Sequence, residues 1–110
     1  MTEERFNNLV QDFFEALRQK TLLIIIDSAS KNEKAVFSIV SFKDGKFIRF
    51  SPMLAELGFK GWSKDCEYFI TYCAGRFSLF ILDNIGSELR GKGIELPDDF
   101  YDIIQYQQCI

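Results

Sequence analysis

Residues 35–50, "AVFSIVSF-KDG-KFIRF", constrain the fold more than any other stretch of this chain. β-Branched and aromatic residues lie on both sides of Lys-Asp-Gly, a combination that favours strands. Asp-Gly tolerates the two positive φ angles that a tight hairpin turn requires. A parallel pairing would need a crossover of about a dozen residues or more, and none is available here. The two runs therefore pair antiparallel, and a sheet begins from local contacts.

The elements around the hairpin follow from spacing and punctuation. Thr2 is placed to cap a helix running to about Lys20, with Glu3 and Glu4 in its first turn and Arg18 and Lys20 in its last. Phe6, Leu9, Val10, Phe13, Phe14 and Leu17 recur at three- and four-residue spacing, so one broad apolar stripe must pack on something flat. "TLLIIID" (21–27) is apolar at alternate and intervening positions, which predicts an interior strand. "SPMLAELG" (51–58) predicts a short helix with Ser51 as its cap, Pro52 in its first turn and Gly58 as its stop. "CEYFITYC" (66–73) and "RFSLFILD" (76–83) predict two further strands joined tightly at Ala74-Gly75. "NIGSELRGKG" (84–93) is at best a short helix, because it holds three glycines. Pro97 then starts a final helix to about Gln108. The expected architecture is one α+β domain over residues 1–110. It is a mostly antiparallel sheet of about five strands with N- and C-terminal helices packed on it.

Composition narrows the chemistry. With 47% hydrophobic residues in 110, the chain has enough apolar surface to fold without disulfide or metal staples. Its net charge of −3 argues against wrapping a phosphate backbone, so no nucleic-acid partner is expected. The longest apolar run, "LLIII" (22–26), is far short of the roughly 20 residues needed to span a membrane. "MTEERFNN" carries no signal-peptide core, which predicts a cytoplasmic protein. Cys66, Cys73 and Cys109 are an odd number without CxxC spacing, read as inert thiols in a reducing compartment. The chain has no histidine. That removes the usual general base near neutral pH and the commonest zinc ligand. A lone activated Cys73, a phosphate loop in "GSELRGKG" and a metal held by Asp98 and Asp102 each lack the companion residues such sites need. No catalytic residue, metal ligand or cofactor is assigned, and the chain is not read as an enzyme.

The end of the chain, "GIELPDDFYDIIQYQQCI", gathers Glu95, Asp98, Asp99 and Asp102. Stepping 100° per residue from Asp98 puts Phe100, Ile103, Ile104 and Gln107 on one side, predicted to meet the sheet. Asp98, Asp99, Asp102 and Tyr106 fall on the water side, with Tyr101 and Gln105 along the other flank. Two readings stand here. Acids in a first helical turn gain about 0.3–1 kcal/mol from the helix dipole, so this is a solvated, capped helix. Alternatively it is a docking face for a basic protein, with carboxylates for steering and tyrosines for rigid contact area. A single helix face is too small for an interface of about 800 Å² per partner. Trp62, in the loop "GFKGWSKD", is the candidate for the missing area. The candidate partner-binding residues are Glu95, Asp98, Asp99, Asp102, Tyr101, Tyr106 and Trp62.

In size, acidity, α+β order and its acidic closing segment "LPDDFYDII", the chain resembles bacterial toxin-immunity proteins of contact-dependent or polymorphic toxin systems. These are small cytoplasmic partners of nuclease or other toxin domains, and they share no single fold. The resemblance implies a non-catalytic inhibitor that neutralises a cognate toxin domain by 1:1 binding through an acidic surface. A small enzyme or ligand-binding domain with a pocket against the sheet is the alternative, and a subunit of a homo-oligomer a third.

Overall fold

The computed structural model describes residues 1–27, 36–58, 74–105 and 107. Thr2 caps the first helix, α1 (Glu3–Arg18), as its hydroxyl accepts from the Arg5 amide at 3.2 Å. Phe6, Val10, Phe13, Phe14 and Leu17 are buried along one side of α1. The helix ends where Lys20 takes φ +60°. Thr21 N donates to Ala16 O at 2.9 Å and Lys20 N to Leu17 O at 3.2 Å, which closes the last turn.

The chain reverses into β1 (Leu22–Asp27), which pairs antiparallel with β2 (Val36–Lys43), and β2 pairs antiparallel with β3 (Lys46–Arg49). At the hairpin, Asp44 and Gly45 carry φ of +53° and +77°, the pair of positive angles that the Asp-Gly signal predicts. Among the described residues the sheet has three strands in the order β1-β2-β3, so the expectation of about five is corrected. Among the described residues β1 pairs with one strand, β2. Leu22 and Ile24 point into the core while Leu23 and Ile25 remain exposed. The predicted strand 66–73 lies outside the described residues.

Phe50 joins sheet and helix. Its amide donates to Ile39 O at 2.9 Å, and its carbonyl accepts from Leu54 N at 3.0 Å. Phe50, not Ser51, is thus the N-cap of α2 (Ser51–Glu56), and no side chain caps this helix. Gly58, at φ +87°, stops it as expected. The Phe50 ring meets Phe13 edge-on with centroids 5.6 Å apart. Ile24 and Ile39, cross-strand partners with no exposed surface, lie in the same cluster. Each such side chain contributes roughly 1.5–3 kcal/mol by leaving water.

The largest correction concerns residues 74–91. They form one helix, α3 (Ala74–Gly91), in place of a strand at 76–83, a turn at Ala74-Gly75 and a weak helix beyond. Ile81, Leu82, Ile85 and Leu89 are fully buried, and their one-, three- and four-residue steps are a helical stripe, not a strand alternation. Gly86 does not break the helix, because it faces the Phe100 ring where no larger side chain fits. The tetrapeptide "RGKG" is a helix end, not a phosphate loop. Gly93 takes φ +81°, its amide donates to Arg90 O at 2.9 Å, and Ile94 N donates to Leu89 O at 3.0 Å. That pair of bonds is a Schellman motif. The last helix, α4 (Phe100–Ile104), is shorter than predicted. Phe100 and Ile104 bury in the core cluster, with α4 lying beside α1 and α3. The Gln107 amide reaches β1, donating to Leu22 O at 2.9 Å.

Candidate functional site

The segment from Ile94 to Asp102 leaves the α3 stop and runs beside α1 into α4. Its apolar residues hold it down: Ile94, Leu96 and Ile103 pack against the core, and Phe100 is buried within it. The Phe100 ring meets Phe14 edge-on at 6.1 Å and Tyr101 at 5.4 Å. Its polar residues alternate outward, so Glu95, Asp98, Asp99 and Asp102 are all exposed. Sequence periodicity placed Asp98, Asp99 and Asp102 on the water side correctly, although the backbone is helical only from Phe100. Asp99 occupies the N-cap position without a side-chain cap bond, and Asp102 is the acid of the first turn. In a helix of five residues the dipole accounts for little of the cluster.

The four acids are not equivalent. Asp99 Oδ1 accepts from Arg18 Nη2 at 3.3 Å, an ion pair from the end of α1. No ion pair joins Glu95, Asp98 or Asp102 to a cation among the described residues. Tyr101 is held by Arg90, whose guanidinium donates to the phenol oxygen and lies 5.0 Å from the ring centroid. That contact fixes a half-exposed aromatic side chain before any partner arrives. Arg18 and Arg90 are the residues that sequence reasoning missed as members of this face. Arg18 read only as a dipole-compensating residue at a helix end, and nothing local links position 90 to position 101.

Two clefts flank the ridge. One, of about 340 Å³, lies between Arg90, Tyr101, Glu95 and Asp98 over a floor of Ile94, Leu96 and Pro97. The other, of about 680 Å³, lies on the α1 side and is bounded by Asn7, Gln11, Phe14 and Gly93. Both are open grooves in the protein surface. Among the described residues no group of three or more His, Cys, Asp or Glu side chains is placed to hold a metal ion. No helix among them is long and apolar enough to cross a membrane.

Of the predicted partner-binding residues, the fold brings together Glu95, Asp98, Asp99, Asp102 and Tyr101. Tyr106 and Trp62 lie outside the described residues, as do Cys66, Cys73 and Cys109. No protein-family model, no curated protein and no solved structure matches the chain.

Proposed function

We propose that this protein is a non-catalytic inhibitory binding protein. In this reading it is an immunity protein whose acidic ridge covers a basic surface of a cognate toxin domain, a nuclease among the candidates, in a 1:1 complex. The observation that carries the reading is the state of Glu95, Asp98 and Asp102. They are exposed, they lack an ion-pair partner among the described residues, and they stand on a segment anchored by Phe100. Three carboxylates fixed on one short ridge repel one another unless solvent or an external cation offsets them. Beside them Tyr101 supplies a pre-set aromatic contact of the kind that dominates binding energy in protein interfaces.

The test is capture of the native partner from the source cell at low salt, followed by titration of the purified pair. The expected result is a 1:1 complex whose association slows steeply as salt rises. Asp98→Lys with Asp102→Lys weakens it strongly while circular dichroism is unchanged. Undiminished affinity in that double variant overturns the assignment of the ridge. The cleft between Arg90 and Tyr101 is the feature that favours the alternative, a small-ligand domain. A metabolite that raises Tm in wild type but not in Tyr101→Ala would select it.

A further inference from the structure

The ridge is too small to be a whole interface. Its helical part, five residues, is about 8 Å long, whereas a stable complex buries about 800 Å² per partner. The structure supplies a neighbour that the sequence did not, on the outer face of the sheet. Register puts Phe42 opposite Phe47, and Leu23, Val40 and Arg49 in the adjoining row, where Val40 between its two neighbours is buried. Phe42 and Phe47 are 59% and 52% exposed, and Leu23 and Ile25 are 37% and 44% exposed. The Arg49 guanidinium lies 5.4 Å from the Phe47 ring centroid and stiffens this pair. The hairpin carries three cations, Lys43, Lys46 and Arg49, against one carboxylate, Asp44.

Both surfaces are tied to the same turn. Arg18 pairs with Asp99 of the ridge, and the next residue, Gln19, accepts from Lys43 of the hairpin. We infer that the Phe42–Phe47 hairpin face is the second half of the docking surface and that one protein partner spans both. This rests on the reading of the ridge as a docking face. The partner presents Lys or Arg side chains to Glu95, Asp98 and Asp102. Around the corner it presents an apolar recess rimmed by carboxylates, which receives the two phenylalanines beside Lys43, Lys46 and Arg49. Charge complementarity selects a protein over a nucleic acid or an anionic lipid surface. A uniform polyanion drawn to the hairpin would meet the ridge carboxylates across the same turn and be repelled.

The experiment is photo-crosslinking in the source cell. Benzoylphenylalanine is placed at position 47 in one strain and at position 102 in another, each in the full chain. The expected result is one and the same polypeptide at both positions. Its crosslinked peptide is carboxylate-rich at position 47 and rich in Lys or Arg at position 102. Phe42→Ser with Phe47→Ser then lowers the adduct at position 102 on the order of thirtyfold, as expected for removal of an aromatic hot spot. An adduct at position 102 alone, or one undiminished in the double serine variant, overturns the hairpin inference and leaves the ridge reading intact. An adduct at position 47 alone overturns the ridge reading and the shared partner together, and no adduct at either position does the same. Lipid, nucleic acid or a second copy of this chain captured at position 47 overturns the hairpin inference.

Discussion

Gly86 of α3 and Phe100 of α4 approach so closely that a Cβ at position 86 would stand 2.6 Å from Phe100 Cε1, nearer than real Cβ contacts come. Neighbouring atoms leave the ring no easy exit, since Phe100 is almost wholly buried. The anchor of the acidic ridge is thus a ring seated in a notch made by a missing side chain.

Gly86→Ala should therefore destabilise the protein by about 1–3 kcal/mol, the usual cost of overpacking. In an open helix the same change would stabilise by about 1 kcal/mol. Urea unfolding decides the sign, and Phe100→Leu in the Gly86→Ala background should recover part of the loss.

The ring, not the ion pair, holds α4. Phe100→Ala should cost about 3–5 kcal/mol. Arg18→Ala should cost no more than about 1 kcal/mol, since both members of its pair with Asp99 are more than half exposed. Equal losses in the two variants, measured by chemical denaturation, would contradict this.

Lys20 closes α1 with a left-handed backbone that costs a side-chain-bearing residue roughly 1–2 kcal/mol. Lys20→Gly should raise the unfolding free energy by at most about 0.5–1 kcal/mol, since glycine has greater chain freedom and the Lys20 side chain's own interaction is lost. Thr2→Ala, at the other end of the helix, should lower it by about 1 kcal/mol through loss of the cap, and Thr2→Ser should restore it.

Charge reversal on the ridge should be nearly silent in folding. Asp98→Lys with Asp102→Lys changes only exposed groups without ion-pair partners among the described residues, so stability should stay within about 0.5 kcal/mol of wild type. A larger loss would mean that these carboxylates support the fold and are not reserved for a partner.

Local signals were legible in the sequence and distant ones were not. The α1 stripe, the Thr2 cap, the Asp44-Gly45 turn and the Gly58 stop each depend on a few adjacent residues, and each is where it was expected. Residues 74–91 were misread because "FSLFIL" is as apolar as a strand and glycine counted against a helix. What makes Gly86 fit is Phe100, fourteen positions away and invisible to any window of local pattern. At the site, 100° spacing found the exposed acids. The Arg90–Tyr101 and Arg18–Asp99 contacts join residues 11 and 81 positions apart, and those arise from packing alone.

The bond from the Gln107 amide to the Leu22 carbonyl spans 85 positions and ties the residues after α4 to the start of β1. An unpaired strand carbonyl is a template to which a foreign strand can add. At Leu22 a side chain of the same molecule already occupies that place. With leucine at position 107 the same core would fold, yet that carbonyl would stand open to the N–H of another chain.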